Sequence, residues 1–532
     1  MGFTEKLFDD LARSSGIPAD QISVIVGMLV TLFLSILYNL FLSPLKVGRT
    51  TRLAFGVVWG IAIGWFCYTS DMIQLVILLL LSYYIIQTVS PQVVHRYIFT
   101  LAMSWLSINH IYRQVTDYGG YKLDITGPLM LITQRLTYVG FAVHDGLGRD
   151  PKELTHEQRQ HSIKYFYVPI EIMHLNIVTK IIVKSILYLK SQLFSSVNLG
   201  NTSFCRKRPS FLEFFSYILH FSMLLVGPSC SYYEFMEFVD GTNMKGFKQS
   251  GKAYLPMVTA TKKILLSYVF LGGLVLGNAL ISPKTCIDPE FMSKSSLLTK
   301  IIFSYIVIAA IKMRYYYAWT FADGVINVAG MGYNGLDENG EAQWDKFTNA
   351  KIKQIELGTN SRTILKNWNI GTEKWLKRII YDRSNDNLTG VLATSVTSAF
   401  WHGFYPGYYL CFVTVGFLTL SSRLARRSFR PYFQESKEKQ IFYDILTWLI
   451  TCSMVVYSCI PFVLLDLNSG FIFWRSLYFY GHIVVLLGFA SPWISAALGM
   501  KREEKNIKLN GPREMTEEPI NSRRIDGGLK QE

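Results

Sequence analysis

The chain has 532 residues, of which 50% are hydrophobic, 14% aromatic and only 17% charged, with a formal net charge of +15. Soluble globular domains carry about 25% charged residues, so this composition argues against a set of soluble domains, although the length would allow two or three. Nucleic-acid binding is a poor explanation of the positive charge, because no basic aromatic module is present; basic loops on the cytosolic side of a membrane explain it better.

Residues 1–20, which include MGFTEKLFDDLARSSG, read as a polar segment. Asp9 and Asp10 stand where a signal peptide would carry a basic region, so the first span is expected to act as its own insertion signal. Position 6 is Lys rather than Ser or Thr, which gives no support for myristoylation of Gly2. Apolar runs follow near 21–42, 53–68, 72–89, 92–107, 125–143, 165–189, 211–226, 257–281, 298–320, 390–420, 443–466 and 471–498. A helical span needs about 20 apolar residues. Some runs are short, so about ten to twelve membrane segments are expected over 21–498, the shortest of them re-entrant or interfacial. The fold class is therefore all-α and polytopic, with no internal repeat.

The seven cysteines (Cys67, Cys205, Cys230, Cys286, Cys411, Cys452, Cys459) form no CxxC pair, and no zinc or other metal site is expected. Sequons occur at Asn201 and Asn387. The charged stretch 499–532 reads as a disordered tail.

Orientation follows from charge. The loop 422–440 carries Arg423, Arg426, Arg427 and Arg430, and the tail begins with Lys501 and Arg502. Two candidate spans separate these regions, so both are assigned to the cytosol. The stretch 346–383 is also basic (Lys346, Lys351, Lys353, Arg362, Lys366, Lys374, Lys377, Arg378, Arg383), yet only 390–420 separates it from 422–440. A single span there would put two basic loops on opposite sides. The run is also too long for one span and is interrupted by Gly403, Pro406 and Gly407. Pro406 has no N–H to give the carbonyl of His402, so the chain is expected to bend at His402 and not to cross simply.

An ionisable side chain in an apolar run is a functional candidate by default. His110, His174, His220 and His482 lie in similar settings, and a lone membrane histidine is often structural. The Gly/Pro break and Trp401 set His402 apart. A buried neutral imidazole can accept a proton. A second candidate is NSRTILKNWNIGTEKWLKRIIYDR (360–383), where Trp368, Trp375, Leu376, Ile379 and Ile380 fall on one helical face. It reads as an amphipathic helix at the membrane surface with Asn369 on its apolar side; such an amide is also a common helix–helix hydrogen bond. Its basic residues suit the phosphates of coenzyme A or a lipid head group as well as they suit ordinary positive-inside bias.

The stretch TSAFWHGFYPGYY (397–409) resembles the histidine motif of the membrane-bound O-acyltransferases, and in particular the lysophospholipid acyltransferase branch in its fungal form. KNWNIGTEKWL (366–376) is similar to the family's WN motif. LLVGPSCSYYEF (224–235), MRYYYAWTFADGVINVAGMGYNG (313–335) and FAVHDG (141–146) resemble further blocks, in the family's order over roughly 90–420. The resemblance implies the family's fold, with helices enclosing a catalytic chamber, and a catalytic pair of His402 and Asn369, 402 − 369 = 33 residues apart. Asn367 is a less fitting substitute for Asn369, and Cys230 stands where relatives often have an aromatic residue. Substrate-binding candidates within the same blocks are Trp368, Trp401, Tyr232, Glu234, Trp319, Asn334 and Lys366, and the basic stretch adds Arg378. The expected reaction carries a fatty acyl group from acyl-CoA, a co-substrate, to the free hydroxyl of a lysophospholipid, without a further cofactor, in the endoplasmic reticulum membrane. A family enzyme with a sterol, diacylglycerol or protein acceptor is the alternative within the resemblance, and a transporter is the alternative outside it. The oligomeric state has no sequence signal.

Overall fold

The computed structural model describes residues 18–120, 123–163, 208–244 and 256–499, together with Asp10, Ala12 and Arg13. The candidate span at 165–189, the sequon Asn201, Cys205 and nearly all of 1–20 and 499–532 lie outside the described residues. Among the described residues the regular elements are helices, with two isolated antiparallel bridges. Seven helices among the described residues are long and apolar enough to cross a membrane: Ala19–Phe41, Arg49–Tyr68, Asp71–Thr88, Met257–Leu280, the run Pro406–Phe433, Lys437–Leu464 and Tyr480–Ala497. The chain is a multi-pass membrane protein. Its outer helices present apolar side chains that water would not tolerate in such numbers, including Val269 (68% exposed), Leu276 (63%) and Leu486 (67%).

Three further apolar runs are long helices, Val94–Thr116, Thr126–Val143 and Leu297–Val328. Two runs are broken where the sequence shows no break. The run 211–226 divides into Phe211–Leu219 and Phe221–Leu224, and 471–498 into Leu467–Ser476 and Tyr480–Ala497. Thr126–Val143 is the central helix, buried along nearly its whole length. It carries Arg135, fully buried and, among the described residues, without a carboxylate partner, whose guanidinium donates to the carbonyls of Ile218 (2.9 Å) and Met223 (2.5 Å). The break at His220 frees the Ile218 carbonyl and the end of the short helix at Leu224 frees that of Met223; lipid cannot satisfy either, and Arg135 supplies the donors.

The run 390–420 is a helical hairpin. The helix Asn387–His402 ends at Gly403, and Pro406–Phe429 returns beside it. A Cβ on Gly416 would stand 2.7 Å from the Ser395 hydroxyl, which places the two helices side by side and antiparallel. Ser422 shares a 2.7 Å hydrogen bond with Ser361, so the basic stretch 346–383 and the basic loop 422–440 meet at one end of the molecule. The charge conflict disappears, because the chain goes in and comes back. Ser491 donates to Ser428 at 3.4 Å, so the last helix also ends there, as the charge pattern requires. His402 occupies the tip of the hairpin. Pro406–Phe429 has 24 residues, which puts its arginine end about 36 Å away.

Candidate active site

The turn that presents His402 requires glycine. Gly403 has φ +125°, where a side chain is strained, and its N–H caps the carbonyls of Ala399 (3.1 Å) and Phe400 (3.2 Å). Pro406 then opens the next helix at its first position, where a missing N–H costs nothing. The His402 ring is only partly buried, with Phe412 (4.7 Å between centroids), Phe462 (5.5 Å) and Trp401 (4.6 Å) around it. Its Nδ1 lies 2.7 Å from the Ser398 carbonyl oxygen. A carbonyl only accepts, so Nδ1 carries the hydrogen, and in the neutral ring the lone pair is on Nε2. That is the tautomer of a general base.

Asn369 is held differently from the sequence expectation. The stretch 360–383 is two α-helices, Ser361–Asn367 and Ile370–Ile379, followed by a 3-10 turn at Tyr381–Arg383, rather than one helix. Trp368 pairs with Ala350 in an antiparallel bridge, and Lys351 N–H and Ile370 N–H bond across it to Asn367 (3.1 Å) and Asn349 (2.9 Å). This crossing chain pulls Trp368 and Asn369 out of the helix. Asn369 takes the left-handed conformation (φ +49°), which asparagine tolerates better than most residues. It does not share a face with Leu376 and Ile380, as a continuous helix would have required. Its side-chain oxygen accepts from Asn349 Nδ2 at 3.2 Å, while Asn349 Oδ1 accepts from Gly371 N–H at 2.8 Å. The Asn369 amide N–H₂ remains as a donor of fixed direction.

The helix Ile370–Ile379 links the two motifs. The Trp375 ring meets the Trp401 ring at 5.9 Å, and its indole N–H donates to Thr137 at 2.8 Å. Trp401 N–H donates to the Met130 carbonyl at 2.9 Å, and Gln134 donates to Thr372 at 2.9 Å. The central helix thus holds both halves of the site. Asn369 lies six residues before Trp375, about 9 Å of helix.

A polar cavity opens on the other side of this helix. Tyr138, Ser229, Glu234, Lys346, Lys374 and Arg378 are among its lining residues. Arg378 donates to Glu157 (2.8 Å) and to His161 Nε2 (2.9 Å). His161 Nδ1 bonds Ser231 Oγ (2.9 Å), and Ser231 donates to Glu234 (2.8 Å). Because the guanidinium donates to Nε2, His161 is neutral. Burial first, and then the charge of Arg378, push its pKa down to about 4. Burial raises the carboxyl of Glu157, but its bonds to Arg378 and Lys377 outweigh that and bring it down to about 2. Both groups bind fewer protons folded than unfolded. Their stabilisation is complete above about pH 6.5, falls for His161 between 6.5 and about 4, and falls further for Glu157 between 4.5 and about 2. We expect the thermal unfolding midpoint of the purified protein to drop on acidification through this range. His161→Gln should flatten the upper part of the drop; an unchanged slope there would show that His161 does not contribute.

The remaining sequence candidates are dispersed. Trp319 and Trp368 stack edge-on at 5.0 Å, with Tyr315 and Tyr316 beside Trp368. Tyr232 is 3% exposed and packs edge-on against Tyr217, which makes it core rather than lining. Asn334 lines a separate, open cavity and donates to Asp345 at 2.8 Å. Lys366 is exposed and lines neither cavity. Sequence reading missed Asn349, His161 and Glu157, which act through contacts across the chain. It also missed the bidentate pair of Arg383 with Asp145 (2.6 and 3.0 Å), although Asp145 lies inside FAVHDG.

Residues 111–464 match the sequence model of MBOAT, the membrane-bound O-acyltransferase family. The chain is 34% identical to the human membrane-bound glycerophospholipid O-acyltransferase 1, covering 90% of each chain. It is also 34% identical to lysophospholipid acyltransferase 6 of Drosophila melanogaster, over 91% of this chain and 62% of that longer protein. A lysophospholipid acyltransferase of Schizosaccharomyces pombe is 27% identical over 74% of this chain and 71% of its own.

Proposed function

This chain belongs to the membrane-bound O-acyltransferase family, and we propose that within it the protein moves a fatty acyl group from acyl-CoA to the free sn-2 hydroxyl of a lysophospholipid. The observation that carries the reading is the His402 ring at the tip of the hairpin, with Nδ1–H fixed on the Ser398 carbonyl and Nε2 without a hydrogen-bond partner among the described residues. The names of the relatives support a phospholipid acceptor.

Nε2 of His402 removes the hydroxyl proton as the oxygen attacks the thioester carbonyl. The carbonyl oxygen becomes an oxyanion, toward which the Asn369 amide is a suitable donor. Collapse expels the coenzyme A thiolate, which takes the proton from the imidazolium. The product is a diacyl phospholipid and free coenzyme A, with His402 neutral again. No side chain is acylated. The aromatic wall around His402 limits water, which favours transfer over hydrolysis. Lys346, Lys374 and Arg378 suit the phosphates of coenzyme A, and the endoplasmic reticulum, where phospholipid acyl chains are exchanged, is the proposed location.

The test is a panel of acceptors given to the purified protein with labelled oleoyl-CoA. Label in diacyl phospholipids alone is the expected result. Label in sterol ester, triacylglycerol or protein would replace the acceptor, and label in none of them would overturn the activity.

A further inference from the structure

The carbonyls at the end of the helix Asn387–His402 need donors from elsewhere. Gly403 N–H serves Ala399 and Phe400. The next carbonyl, that of Trp401, lies 3.0 Å from Nε2 of His110, on the helix Val94–Thr116. The carbonyl can only accept, so Nε2 of His110 carries the hydrogen. The ring also lies against the turn itself: a Cβ on Gly403 would stand 3.2 Å from His110 Nδ1. His110 is buried, at 8% exposed. The loop that follows its helix grips the turn a second time, where Gly119 N–H donates to the Tyr405 hydroxyl at 2.9 Å. Arg113 braces that loop through the Gly120 carbonyl (3.0 Å) and Asp124 (3.4 Å).

A buried histidine bonded to a carbonyl is ordinarily a packing residue. Here the carbonyl belongs to the peptide that enters His402. Its orientation sets the direction of the His402 side chain, while the Ser398 carbonyl sets only the rotation of the ring. Resting on the reading of His402 as the base, we propose that His110 is a positioning residue for acyl transfer: its N–H fixes the Trp401–His402 peptide and so aims Nε2 of His402. A base displaced by about 1 Å loses roughly 10²-fold in rate without any loss of substrate binding.

Four variants, His110→Phe, His110→Gln, His110→Ala and His402→Ala, are to be compared as purified proteins by kcat, by KM for both substrates and by thermal unfolding midpoint. His110→Phe keeps the ring volume and removes the donor. Its kcat is expected to fall by roughly 10²-fold with both KM values nearly unchanged. His110→Gln restores an N–H donor and is expected to recover most of that loss. Wild-type kcat in His110→Phe would overturn the proposal. So would a folded His110→Gln as slow as His110→Ala, a comparison that decides the matter even where the Phe variant does not fold. Turnover retained by His402→Ala would overturn the reading of the base itself. An inactive His402→Ala beside a normal His110→Phe would overturn the positioning role alone.

Discussion

His402→Ala is expected to lose acyl transfer, by roughly 10²–10⁴-fold or more, and to remain a folded membrane protein. On the proposed reading, His402 is the group that removes the proton from the attacking hydroxyl. Nε2 is kept as the acceptor by the Nδ1–H bond to the Ser398 carbonyl. Losing the ring costs the fold about 1 kcal/mol for that hydrogen bond, plus contacts with Phe412 and Phe462. The break itself survives, because Gly403 and Pro406 determine it. His402→Gln refills most of the space and still fails, since an amide does not take up a proton. The measurement is transfer per unit of folded protein, with detergent-extracted monodisperse material as the denominator.

Asn369 is expected to give the second large effect, and its backbone separates two causes. With φ +49° and ψ +54°, alanine there loses the amide and also adds about 1–2 kcal/mol of left-handed strain. Glycine loses the amide without the strain. Asn369→Gly loses only the bond from the buried Asn349 amide, so it should unfold below wild type but above Asn369→Ala, and yet lose transfer by roughly 10²–10³-fold, the range for removing one oxyanion donor. Asn369→Ala should lose as much activity and be less stable as well. Normal turnover in Asn369→Gly would show that the residue serves the backbone turn and not the reaction.

Much of this site is legible in the sequence because proline, glycine and charge act locally. Pro406 and the two conflicting basic loops together predict that 390–420 bends at His402 and does not cross simply, and the structure resolves this as a hairpin. The refinement is that Gly403 ends the first helix, whereas Pro406 begins the second. What is not legible depends on distant chain. The 3.6-residue pattern of 360–383 is real, but the bridge from Ala350 to Trp368 interrupts it, and no local pattern announces a strand crossing of one residue. The break at His220 lacks proline as well; it is sustained by Arg135 from another helix. His161, Asn349 and His110 matter through partners 70, 20 and 291 residues away in sequence. Such roles follow from packing.

The account rests on direct transfer, with His402 as base and no acylated side chain. The most direct test is to mix purified protein with labelled acyl-CoA, first without and then with lysophospholipid, and to follow coenzyme A release and protein-bound label. The prediction is no burst of coenzyme A and no covalent label without acceptor, then one coenzyme A released per phospholipid formed, all of it lost in His402→Ala. A stoichiometric burst with label retained on the denatured protein would contradict the account, because it would mean that the acyl group first passes to the chain.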